Sequence, residues 1–173
     1  MASLMENLMT ILENEISEYE NLVVLSTQKT PVIIQGDLHA LQQITDEEQI
    51  VVGRIQHLER KREEVIGDIA NVINKDVEEL KLVNLIEMLQ DRPQESGRLA
   101  GIHDELKDVV HRMERVNDQN RELIKNAMEM IEFDMTVIQS LKAAPETANY
   151  TKGAYMSGDK MGGRLNGGFD AKQ

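Results

Sequence analysis

The chain holds four histidines, His39, His57, His103 and His111, the residue type that most readily binds metal or moves protons near neutral pH. A di-iron site in a helical bundle needs Glu-x-x-His on two helices, so that carboxylates and imidazoles share one inward face. Three residues before the four histidines stand Gly36, Arg54, Ala100 and Asp108. Only Asp108/His111 comes near that spacing, and it stands alone. The four therefore read as surface polar residues on helices, with no metal site and no metal cofactor expected.

Other reactions need patterns that this chain lacks. A phosphotransfer histidine sits in His-x-x-Lys-Gly on an exposed helix face. After His57 and His103 the lysine comes four residues on, at Lys61 and Lys107, and no glycine follows. No Gly-x-Ser-x-Gly turn is present to raise a serine nucleophile. No Gly-x-x-x-x-Gly-Lys-Ser/Thr loop is present to cradle phosphate. The stretch Asp159-Lys160-Met161-Gly162-Gly163-Arg164 follows no predicted strand and opens no helix. The expectation is a protein that binds or scaffolds and is not an enzyme, with no cofactor.

Composition narrows the partners. The 173 residues suffice for one domain with a real core, yet aromatics are 3% and there is no tryptophan. Leu, Ile, Val and Met supply most of the apolar content, the profile of long helices packed along seams. A net charge of −12 repels nucleic-acid phosphates, which argues against DNA or RNA as partner. Cysteine is absent, so no disulfide and no thiolate metal site is expected. The first 15 residues are apolar at helical spacing but lack a basic leading segment, unlike a signal peptide. No window of about 18 uninterrupted apolar residues occurs, so no membrane insertion is expected, and the cytoplasm is favoured.

The apolar spacing predicts an all-α fold: an elongated antiparallel bundle of three to four long helices with coiled-coil-like seams. Ser3 and Glu6 have capping-box spacing and open the first helix. Its stripe is Met5, Leu8, Leu12, Tyr19 and Leu22, with Glu15 and Ser26 at the same spacing. That helix is expected to reach about Lys29, with Thr30-Pro31 marking a kink or restart and Val32, Ile33 and Ile34 as candidates to continue it past that point. Gly36-Asp37 reads as a helix stop followed by an N-cap. The second helix then runs from Leu38 to about Ile73, and eight of ten seam positions are apolar. The exceptions, Glu48 and Arg62, lie roughly 21 Å apart along the helix, so each needs a partner on another helix or water. Asp76 is expected to cap a third helix over Val77–Leu89, which Asp91-Arg92-Pro93 interrupts.

A fourth helix begins between Pro93 and Leu99. From Leu99 to Leu141 eleven of thirteen seam positions are apolar, with Asn120 and Asp134 as exceptions. A second seam, Ile124, Met128, Ile131, Met135 and Ile138, appears only in its later half. A stripe that widens in this way must be covered by other helices or by a partner. Residues 1–144 form the expected bundle domain. Residues 145–173 hold six of the eleven glycines and are expected to be a flexible tail. Its Tyr150, Tyr155, Leu165 and Phe169 are candidates to dock in a partner groove.

The order of seam marks resembles one family. Glu15, Tyr19, Leu22, Leu25, Ser26 and Lys29, then Gly36-Asp37, then Leu41, Ile44, Glu48, Gln49, Leu58 and Arg62, are similar to the FlgN flagellar export chaperones. So is Asn117-x-x-Asn120-x-x-Leu123-Ile124 before a Met/Ile-rich helix end, and so is the ending Arg164–Asp170. The resemblance implies a cytoplasmic chaperone of type III flagellar export. It would bind the C-terminal helical segments of the hook-associated junction proteins, FlgK and FlgL, prevent premature assembly, and deliver them to the export gate. On the residues themselves, Ile124, Met128, Ile131, Met135 and Ile138 fit one wall of a groove for a client helix, with methionine supplying adaptable surface. Asn117 and Asn120 are candidates to bond the client, while Asn120 equally suits fixing helix register from within a seam. On the latter reading Asn120→Leu is expected to raise thermal stability. A structural coiled-coil adaptor for a folded partner is the alternative, and a homodimer is compatible with the seams.

Overall fold

The computed structural model describes residues 2–143, the side chains of Ala2 and Glu79 excepted. The proposed tail and its Tyr150, Tyr155, Leu165 and Phe169 lie outside the described residues. Four α-helices account for most of the described chain: α1 Ala2–Gln35, α2 Leu38–Ile73, α3 Leu82–Met88 and α4 Pro93–Ala143. A single 3₁₀ turn, Val77–Glu79, precedes α3. Compactness divides the chain into Met1–Phe133 and Asp134–Gln173.

In the first unit α1 and α2 form an antiparallel hairpin. Gly36 takes φ +69°, a left-handed conformation that glycine adopts without penalty. The Asp37 side chain then accepts a hydrogen bond from the Ala40 amide at 3.0 Å and caps α2. Cross-helix pairs fix the direction: Glu15 meets Arg62, Glu18 meets Arg54, and Ser26 meets Glu48. Helix α4 pairs with α1 in rising order, Arg98 with Glu6 and Glu13, then Arg112 with Glu20. So α2 runs against both α1 and α4, in an up-down-up arrangement.

The main core gathers Leu8, Leu12 and Ile16 of α1, Val65 and Ile69 of α2, and Leu99, Ile102 and Val109 of α4. Leu80 and Leu85 join it from the segment between α2 and α4. A smaller core of Leu22, Val51 and Ile55 follows toward the α1–α2 turn.

Three local expectations change. Helix α1 passes through Pro31 without a restart and ends at Gln35. Proline there removes the donor to the Thr27 carbonyl and crowds it, a local cost borne between buried Ser26 and Ile33. Ser3 falls inside the first turn of α1 instead of capping it, and Glu6 pairs with Arg98. The segment Val77–Leu89 is not one helix: Leu80 and Lys81 interrupt it with φ/ψ of −91°/67° and −75°/157°. Burial is the reason. Leu80 and Leu85 are five positions apart, which on a continuous helix would point them roughly 140° away from each other. The break lets both enter one core, at 4% and 2% exposure.

The second unit is described over Asp134–Ala143, the last residues of α4. Met135, Val137, Ile138 and Leu141 are all exposed there.

Candidate functional site

The polar residues on the apolar seams find one another. Glu15 is fully buried on α1, and Arg62 of α2 donates to its Oε2 at 2.7 Å. Its Oε1 is buried with no hydrogen-bond partner. Burial pushes the Glu15 carboxyl up to about 7; the Arg62 guanidinium opposes this and the Glu59 carboxylate adds to it. The nearby Tyr19 hydroxyl donates to Glu59 Oε1 at 3.4 Å, and burial, with the Glu59 charge, raises its pKa as well.

Three turns further along α1 lies a second polar interlock. Ser26 Oγ donates to Glu48 Oε1 at 2.9 Å, and Lys29 Nζ pairs with the other oxygen of the same carboxylate. Asn120 of α4 completes it at 3% exposure. Its Nδ2 donates to the Ser26 carbonyl at 2.7 Å, and its Oδ1 accepts from Thr30 Oγ1 at 2.7 Å. That carbonyl is adjacent to the Thr27 carbonyl, which Pro31 deprives of an intrahelical donor. The amide on the apolar seam therefore ties α4 to α1 at a fixed register, and both ends of its side chain are engaged inside the fold.

These bonds reverse the expected effect of Asn120→Leu. A leucine would remove both short bonds and leave the Thr30 hydroxyl with only its 3.5 Å contact to the Ser26 carbonyl, in a largely buried place. We expect the variant to lose about 1–2 kcal/mol in urea denaturation. An unchanged or higher midpoint would show that the bonds add nothing net.

The other candidate residues lie elsewhere on α4. Asn117 is half-buried, and its Nδ2 donates to Met113 Sδ at 3.0 Å. Ile124 is 38% exposed, Met128 65% and Ile131 60%; Met130 and Phe133 are exposed beside them. The register explains why. Asn120 sits level with Ser26 and Thr30, and α1 ends five residues after Thr30, at Gln35. At equal rise per residue, α4 outruns its neighbour near position 125. Exposed Ile34 and Leu38 flank the α1–α2 turn at this end. An open groove of about 880 Å³ lies on another face of α4, between Thr30 and residues such as Glu114, Asp118, Glu122 and Leu123, and none of the candidate client residues lines it. In the second unit Met135 and Ile138 are exposed in their turn.

The histidines are dispersed. His111 pairs with Glu114 at 3.2 Å and His103 with its neighbour Asp104 at 3.1 Å, both on exposed helix surface. Among the described residues no three His, Cys, Asp or Glu side chains gather in a way that would hold a metal ion. None of the described helices is long and apolar enough to cross a membrane.

Sequence reasoning marked Glu15, Ser26, Glu48, Arg62 and Asn120 as breaks in apolar seams but did not match them. Thr30 enters it only as the residue before Pro31, with no role for its side chain. The available signal was spacing, since Thr30 follows Ser26 by one helical turn.

A search of curated proteins and a search of solved structures each find no match. A family model described as FlgN protein matches residues 1–158, which takes in the whole hairpin and all of α4. The chain belongs to the FlgN family of flagellar export chaperones.

Proposed function

We propose that this chaperone works in the cytoplasm and binds the C-terminal helical segments of the hook–filament junction proteins FlgK and FlgL. It keeps them from assembling early and delivers them to the export gate. The observation that carries this reading is the set of exposed apolar side chains where α4 reaches and then outruns the end of α1, Ile124, Met128 and Ile131. Such side chains at three- and four-residue spacing match the anchors of an amphipathic client helix. Methionine among them suits a surface that must adapt to more than one client. Met135 and Ile138 offer the same chemistry in the second unit, and half-buried Asn117 supplies an amide beside Met113. Asn120 acts on the client only through the register it imposes on α4.

Calorimetric titration with synthetic C-terminal segments of the two junction proteins tests this, with an unrelated amphipathic peptide as control. Selective micromolar or tighter binding is expected. A folded chain that binds neither segment would favour the adaptor reading, to be pursued with folded partners.

A further inference from the structure

Sulfur is distributed unevenly over this fold. The chain has no cysteine and no tryptophan, so the thioethers of its ten methionines are the side chains most open to two-electron oxidation. Met1, Met156 and Met161 lie outside the described residues. The other seven divide by environment. Met5 and Met9 are sealed in the core at 3% and 2% exposure. Met113 is half-buried, and its Sδ accepts from the Asn117 amide at 3.0 Å, which engages a sulfur lone pair. Met88 is exposed, with its Sδ 3.8 Å from the Lys75 ammonium. Met128, Met130 and Met135 stand open on α4 at 65%, 68% and 55% exposure. Met128 shares its apolar seam with Ile124 and Ile131, and Met135 carries the same seam into the second unit. Met130 is as open but stands outside that seam.

We propose that Met128 and Met135 are reversible oxidation sites, and that peroxide acting on them releases the hold of the chain on helical client segments. The thioether sulfur attacks one oxygen of hydrogen peroxide. The O–O bond breaks, an S–O bond forms, and the other oxygen leaves as water after proton transfer. Sulfur gives up two electrons and the peroxide takes them, so no further reactant is needed. The product is a polar sulfoxide in place of a flexible apolar side chain. In the free chain both side chains face water, and the new dipole is solvated without disturbing the fold. Against an apolar client surface it must be buried with no donor, which costs free energy where the thioether contributed some. Sulfoxide reductases restore the thioether. This inference deepens the proposed function and rests on it for the effect on binding. The sites of oxidation rest on exposure alone.

Timed treatment of the full chain with hydrogen peroxide, followed by peptide mass mapping, tests the sites. Met128 and Met135 should gain one oxygen at least about tenfold faster than Met5 and Met9, whose access depends on opening of the core. Equal rates at Met5, Met9 or Met113 would overturn the proposal. Calorimetric titration with the junction-protein segments tests the effect, each chain being compared with itself before and after peroxide. The native chain should lose at least about tenfold in affinity at an unchanged melting temperature, and regain it on treatment with reductases for both sulfoxide epimers. Met128→Leu combined with Met135→Leu removes the sulfurs and keeps the apolar character, so its loss on the same treatment should stay below about twofold. An equal loss in that variant, an unchanged affinity of the oxidised native chain, or a melting temperature that falls with affinity would each overturn it. An untreated chain that binds neither segment, yet oxidises in the expected order, would sink the function proposed above and leave the oxidation sites standing.

Discussion

Glu15→Gln is expected to stabilise the chain at pH 8 and to remove the fall in stability expected of the native sequence between about pH 5 and 8. The cause is the burial of a carboxyl with one oxygen on Arg62 and the other without a partner. Two effects compete at this group. The guanidinium at 2.7 Å favours the charged form, while loss of water and the Glu59 carboxylate disfavour it. Loss of water is the larger, and the carboxyl titrates at about 7 instead of 4.5. The unfolded chain gives up this proton more readily than the folded chain. Its stabilising contribution is therefore fully present below about pH 4.5 and is lost as pH rises through about 7. The gap corresponds to roughly 3 kcal/mol as an upper figure. Glutamine keeps an acceptor for Arg62 and carries no charge to bury. Urea midpoints of both chains across this range decide the matter: parallel curves would mean that Glu15 stays ionised throughout.

If the proposed client site is right, Met128→Glu combined with Ile131→Glu is expected to weaken binding of the junction-protein segments about 100-fold or more while the free chain keeps its stability. Both side chains are more than half exposed, so charge there disturbs no buried packing in the unbound chain. In a complex each would place a carboxylate against apolar client surface. Loss of two anchors at roughly 1.5 kcal/mol each already accounts for a factor of about 100, before the cost of burying charge. Calorimetry gives the affinity and thermal unfolding gives the control. Retained affinity with an unchanged melting temperature would move the client site off this face of α4.

Much of the architecture is legible in the chain because two periodicities agree. The glycine–aspartate pair at 36–37 and the apolar seam from Leu41 to Val72 both demand the hairpin, and α2 begins and ends where they place it. The region between α2 and α4 is less legible. Val77–Leu89 contains leucines at helical spacing, but whether one helix or two short pieces bury them depends on the floor that other helices provide. Pro31 misleads for a related reason, since a proline marks a local cost and not whether surrounding packing can bear it. The polar seam residues are visible as types and not as pairs. Glu15 and Arg62 lie 47 positions apart, and only the register of the folded hairpin brings them together. Exposure of Ile124, Met128 and Ile131 is likewise a matter of where α1 stops relative to α4.

The separation in sequence of these interlocks bears on the order in which the chain is built. Those joining α1 to α2 close loops of 19 to 47 residues, whereas Arg98, Arg112 and Asn120 reach α1 across 85 to 94. A longer loop costs more entropy to close, so the hairpin is the natural nucleus and α4 docks afterwards. During synthesis, residues 1–73 leave the ribosome with every partner of the α1–α2 interlocks already present. Asn120, buried against Ser26 and Thr30, then acts as the last stitch. It sets the point up to which α4 lies down on the hairpin.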